Sequence, residues 1–465
     1  DATNGMVDIT GDWAIGTTTA EAISPDGSVI IGYANDGTAS RAYRWDATTG
    51  MVNIAGDWAT GNSGGNVMSA DGSVIAGYAN DGSTTRAFRW DADTGMVNIA
   101  DTDRNGTVDG SDREWATGYT NVSGMSSDGS VLAGITRDGS VFRAFRWDAD
   151  TGMVNIAGDW ATGNSYTAAI SSDGSAIVGN GYDISNTGRA FRWDATTGMV
   201  NIAGDWATGH SQARAISSDG SVIAGNAHDG TAQRAFRWDA TNGMVDITGD
   251  WAIGTTTAEA ISPDGSVIIG YANDGTASRA YRWDATTGMV NIAGDWATGN
   301  SGGNVMSADG SVIAGYANDG STTRAFRWDA DTGMVNIADT DRNGTVDGSD
   351  REWATGLGIV EGISSDGSVI VGWASDGSDY RSFIYRGGGV MLDATNTQTS
   401  IVQNASAQGA AVASVNSSIS AIVQTEIEVA PPVRLNFFAD PQSANKLPTA
   451  INIMASRSSN KNASN

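Results

Sequence analysis

An Arg-Trp-Asp triplet places its tryptophan at Trp45, Trp90, Trp147, Trp193, Trp238, Trp283 and Trp328, and Tyr385 holds a degenerate eighth copy. The spacings are 45, 57, 46, 45, 45, 45 and 57 residues, so a unit of about 45 residues occurs eight times and two units carry 12 extra. Each unit reads GMVNIAGDWATG, a variable stretch, SxDGSVIAGYA, a second variable stretch, then RAFRWDA. A supersecondary unit of this size cannot bury its apolar face alone, and repetition lets neighbours cover one another.

Period-2 alternation and bounding glycines predict four strands per unit, seen in the second unit at Met51–Ile54, Asn66–Ser69, Ser73–Ala79 and Arg86–Trp90. Asp71-Gly72 and Asp81-Gly82 lie between the last three strands, where a tight turn needs a residue tolerant of positive φ. Four antiparallel strands in this length make a propeller blade, so the expectation is an all-β protein of eight blades. An open β-solenoid is the alternative. Residues 387–393, GGGVMLD, resemble the opening strand of a further unit and are expected to pair back and complete the ring. Residues 1–118 recur without change as 239–356, which indicates duplication and leans toward the solenoid, because a closed ring tolerates a change of unit number poorly.

Composition agrees with short strands and tight turns, with 62 glycines but 6 prolines in 465 residues. There is no cysteine, which removes disulfides and thiolate metal sites. A net charge of −27 argues against nucleic acid and anionic membrane and favours cations, and no apolar run is long enough to span a bilayer. From residue 394 onward the balance is +1, marking a boundary near Asp393. The expected organisation is a repeat domain over 1–393, an Ala/Ser-rich linker or helix over 394–430, and a strand-like segment with a disordered tail over 431–465.

The two 12-residue insertions both read DTDRNGTVDGSD, with the spacing of a calcium loop: oxygen ligands at positions 1, 3, 5, 9 and 12, a backbone carbonyl at 7 and glycine at 6. The candidate ligands are Asp101, Asp103, Asn105, Asp109, Asp112 and the Thr107 carbonyl in the first, and Asp339, Asp341, Asn343, Asp347, Asp350 and the Thr345 carbonyl in the second. Aspartate at position 12 makes the loop resemble the dockerin type. Two calcium ions are the expected cofactors, and they would stiffen loops rather than hold up the fold.

Fifteen of the sixteen tryptophans occupy repeat-fixed positions and are expected to pack between units, Trp373 being the exception. The RAFRWD arginines, such as Arg86 and Arg89, are expected to pair with aspartates or carbonyls. His210 and His228, alone in one unit, make a weak zinc case and are expected at the surface. No nucleophile-base pair and no carboxylate pair stands apart from the repeat, so the chain is expected not to be an enzyme, although carboxylates meeting across units escape such a reading.

The combination of SxDGSVIAGYA, RAFRWDA and GMVNIAG resembles the bacterial extracellular HAF-repeat family, whose His-Ala-Phe triplet reads Arg86-Ala87-Phe88 here; the resemblance spans roughly residues 1–393. It implies an exported protein of the cell surface or matrix, of the kind found in autotransporter passengers. The expected function is that of a calcium-binding surface or matrix protein acting in adhesion or matrix contact through an unidentified surface glycan or protein. The alternatives are a subunit that self-associates into filaments through its tail strand, and a glycan-acting propeller enzyme.

Overall fold

The computed structural model describes residues 5–101, 118–339, 356–375 and 377–386, and the chain divides into two units, Asp1–Gly389 and Val390–Asn465. The described part holds strands β1 to β32, grouped into eight antiparallel four-stranded sheets and no helix. The first blade shows the pattern. β2 (Thr18–Ile23), β3 (Val29–Asn35), β4 (Ser40–Asp46) and β5 (Gly50–Asn53) follow one another as a meander.

The innermost strands of successive blades are β2, β6 (Ser63–Met68), β10 (Thr120–Met125), β14 (Ser165–Ile170), β18 (Ser211–Ile216), β22 (Thr256–Ile261), β26 (Ser301–Met306) and β30 (Gly358–Ile363). Each lies against the next, and β30 lies against β2, so the blades close into an eight-bladed propeller and the solenoid alternative falls.

The core sits between blades, not within one. Phe88 of the second blade, fully buried, packs with Val29, Ile31 and Ala42 of the first, and the equivalent Phe or Tyr recurs in every blade. Because both faces of each sheet are covered by neighbours, the middle strands read as continuous apolar runs such as VIIG and VIAG instead of alternating.

Two expectations about strand order are corrected. The GMVN segment is not the first strand of its own unit: Gly50–Asn53 pairs with Tyr43–Asp46, closing the preceding blade as its outer strand. The eighth blade consists of β30, β31 (Val369–Ser375) and β32 (Tyr380–Arg386), and its fourth strand is β1 (Gly5–Asp8) from the other end of the repeat region. Residues 387–393 lie outside the described residues, and the pairing position assigned to them is filled by β1. Met6, 1% exposed, fixes this closure by packing with Phe383 and Ile370.

The turn chemistry is as the sequence suggests. Asp71 accepts from the Ser69 hydroxyl at 2.6 Å and the Ser73 amide at 3.0 Å, while Gly72 takes φ +66. The residues after the buried serine also link blades through a ring of backbone hydrogen bonds at one end of the propeller. Ala70 N–H donates to Ser127, Ser127 to Ser172, Ser172 to Ser218 and Ser218 to Pro263, while Ala308 donates to Ser365 and Ser365 to Pro25. The ring breaks after Pro25 and Pro263, which have no N–H to pass on.

Candidate functional site

Every innermost strand carries a bulge at its fourth residue, so one residue per blade has no partner on the adjacent strand. The backbone imposes glycine opposite the bulge: a Cβ on Gly32 would lie 2.0 Å from the Thr19 carbonyl oxygen. The eight bulged residues form a ring around the central channel, in blade order Glu21, Asn66, Ser123, Ala168, Arg214, Glu259, Asn304 and Glu361.

Most charged or amide members of this ring are matched across a blade seam. Arg214 donates to Glu259 at 3.0 Å and to the Asn226 side chain at 2.8 Å. Asn66 donates to the Asn121 side-chain oxygen at 2.9 Å and the Val122 carbonyl at 3.2 Å, and Asn304 donates to the Val360 carbonyl at 3.2 Å.

The seam between the eighth and first blades differs, because there two acids, Glu361 and Glu21, meet. Burial and then the charge of Glu21 push the Glu361 carboxyl up from 4.5 to about 7, against a hydrogen bond from the Trp373 indole at 3.1 Å. Burial raises Glu21 as well. Like charges in partly desolvated surroundings do not both ionise readily, so the Glu361 carboxyl keeps its proton to higher pH than an ordinary glutamate. Trp373 stands edge-on to Tyr380 at 4.9 Å and fixes the wall of this corner.

Of the proposed calcium ligands, Asp101 and Asp339 are described, each just beyond the last strand of a blade. Asp103, Asn105, Thr107, Asp109 and Asp112, with Asp341, Asn343, Thr345, Asp347 and Asp350, lie outside the described residues. Among the described residues no group of three or more His, Cys, Asp or Glu is placed to hold a metal ion.

The histidines do structural work. His210 Nδ1 accepts from the Gly188 amide at 2.7 Å, where Asn62 accepts from Ser40 in the first seam, and His228 Nδ1 accepts from Gly230 at 3.0 Å, as Asn80 does from Gly82. The tryptophans of GDW bridge blades, Trp58 donating to the Met96 carbonyl at 3.0 Å. Arg41 binds Asp36 at 2.8 Å and the carbonyls of Ala59 and Gly61 in the following connection, and this ladder recurs around the ring. Arg89 pairs with Asp91.

Sequence reasoning missed Glu21 and Glu361. The available signal was a glutamate in a column otherwise filled by small, amide or basic residues, but their meeting requires the ring to close.

No family model matches the chain, and no curated protein matches it. Solved propellers resemble it at low identity. TolB from Acinetobacter baumannii is 17% identical over 69% of this chain and 82% of its own, with a TM-score of 0.36. Oligogalacturonate lyase from Vibrio parahaemolyticus is 14% identical over 83% and 94%, with a TM-score of 0.45. The Dos1 propeller is 14% identical over 83% and 95%, with a TM-score of 0.49. These are likenesses of fold. The expectation that the chain is not an enzyme is corrected: it rested on the lack of a carboxylate pair standing apart from the repeat, and Glu21 and Glu361 interact as such a pair across this seam.

Proposed function

We propose that the protein is an exported propeller of the cell surface or matrix that acts on neutral polysaccharide at the channel corner formed by its eighth and first blades. The observation that carries this reading is the Glu21–Glu361 pair, the one seam of the bulge ring where two acids meet. Glu361 in its protonated form donates to the glycosidic oxygen as the sugar–oxygen bond breaks. Glu21, ionised, takes a proton from the water whose oxygen bonds to the sugar carbon, as a carboxylate pair does in glycoside hydrolysis. Trp373 holds the donor through its indole N–H. A net charge of −27 favours an uncharged glycan over a polyuronate, in contrast to what the name of the Vibrio lyase implies for that enzyme.

Release of reducing ends from a panel of neutral polysaccharides tests the reading. Turnover is expected to fall at least about a hundredfold in Glu361→Gln and Glu21→Gln. The alkaline limb of the wild-type pH profile is expected near 7, where Glu361 loses its proton. No release from any neutral glycan would end this assignment.

Calcium at the loops beginning with Asp101 and Asp339 belongs to the same proposal. Calorimetry should give two ions per chain, falling to one in Asp103→Asn. Absence of binding at millimolar calcium would remove the metal sites and leave the channel reading intact.

A further inference from the structure

The third, fourth and fifth blades carry a feature that the twin segments lack. Tyr119, Phe142, Tyr166, Tyr182 and His210 form an unbroken row across the third, fourth and fifth blades, with ring centroids 6.0, 5.8, 6.3 and 5.9 Å apart in turn. At the corresponding places the first blade and its entry have Thr17, Ser40, Thr19 and Asn35, so these four small polar positions are filled by rings along this arc; Tyr380 of the eighth blade shares the Ser40 place but lies outside the row. The core does not require them: Tyr119, Phe142, Tyr166 and Tyr182 are half-buried and His210 is exposed. The row begins and ends at residues that lead into innermost strands, and Tyr166 lies on one, so it runs along the channel rim.

Its charge is distinctive. In a chain of net charge −27 the row itself contains no acid, and the carboxylates in the flanking turns are engaged, Asp183 by Arg189 at 3.2 Å and Asp138 by Arg143 at 4.0 Å. The hydroxyls of Tyr119 and Tyr182 have no hydrogen-bond partner among the described residues. Half-exposed rings flanked by free hydroxyls offer apolar faces and hydrogen bonds side by side, as a sugar chain does in return. In the turn after Tyr182, Asn186 takes φ +56 and Ile184 stands 89% exposed.

We infer that this row is a docking track for an extended neutral polysaccharide, continuous with the channel rim. The ligand class rests on the glycan reading above, and the track is separable from the reacting pair. The test uses the full chain in native gels cast with soluble mixed-linkage β-glucan, glucomannan or, as the charged comparison, polygalacturonate. Retardation by a neutral polysaccharide is expected, equally in Glu361→Gln. It should weaken at least about tenfold in the combined variant Phe142→Ser, Tyr166→Thr, Tyr182→Asn, His210→Thr. These substitutions install residues that the first blade and its entry already carry, and Tyr182→Asn with His210→Thr alone provides a milder second variant.

Retardation of the wild type without turnover would leave the track standing and remove the reacting pair. Turnover with wild-type KM in both variants would do the reverse. The track is overturned if no neutral polysaccharide retards the wild type, if the variants are retarded equally, or if sedimentation shows that the row instead joins two copies of the chain.

Discussion

Segments 1–118 and 239–356 have the same sequence and place the same strands in the same register, yet their seams with the preceding blade differ. In the first copy Glu21 faces Glu361; in the second Glu259 receives an ion pair from Arg214 at 3.0 Å. In the first copy Thr10, Thr18, Ser382 and Tyr43 form a hydrogen-bonded chain with contacts of 3.2, 2.7 and 3.3 Å. In the second, Thr248, Thr256 and Tyr281 each bury a hydroxyl without a partner. Ala235 stands where the other seam has Ser382, which accounts for Tyr281; nothing in the seam explains why Thr248 and Thr256 are unpaired as well. Local sequence thus determines the blade, while the neighbouring blade determines its electrostatics.

The comparison breaks most sharply at Met6 and Met244, twins that are 1% and 7% exposed. Placing a carboxylate at either should cost several kcal/mol. Met244→Asp damages a strand tied by a short turn to its own blade, whereas Met6→Asp opens the ring. Thermal melting with limited proteolysis should show the larger loss, with cleavage in the eighth blade, for Met6→Asp.

A second contrast concerns pH. Glu361 titrates near 7 when folded and near 4.5 when unfolded, so the folded state binds more protons in between and stability falls as pH rises through that window. Glu361→Gln should therefore stabilise at pH 8 by up to about 3 kcal/mol while abolishing turnover, and do little below about pH 4.5. Glu259→Gln should instead destabilise by about 1 kcal/mol, because it strands Arg214. Urea melts across pH would show both signs.

Smaller still, Tyr43→Phe should cost about 1 kcal/mol by unpairing Ser382, while Tyr281→Phe should be neutral or stabilising, as should Ala235→Ser. Equal signs for the two tyrosine variants would show that the seams do not differ as described. Least of all, Pro25→Ser and Pro263→Ser restore an N–H to the interrupted ring, but part of the gain of roughly 1 kcal/mol is offset by a freer unfolded chain. Here the twins should respond alike.

The blades were legible because each strand and turn repeats its signals, down to Asp71-Gly72 and the buried serine before it. The phase was not. A periodic sequence has no marked beginning, and GMVN reads as well at the start of a unit as at the end of the one before; only pairing with Tyr43–Asp46 decides. The acidic pair was hidden for a related reason, since Glu21 and Glu361 stand at opposite ends of the repeat region and become neighbours through ring closure. The aromatic row is not legible in sequence because Tyr119, Phe142, Tyr166 and Tyr182 are scattered among variable stretches rich in small polar residues.

The offset between repeat and blade also bears on how such a gene can change. The edge that closes the ring has the sequence GMVD, the same as that of β21 (Gly243–Asp246), and nearly that of every other outer strand. Gain or loss of whole units by recombination therefore always leaves a three-stranded last blade and a matching free strand to fill it. The duplication that seemed to argue against a ring becomes an in-frame change of circumference, with the cost confined to whichever side chains are brought face to face at the new junction.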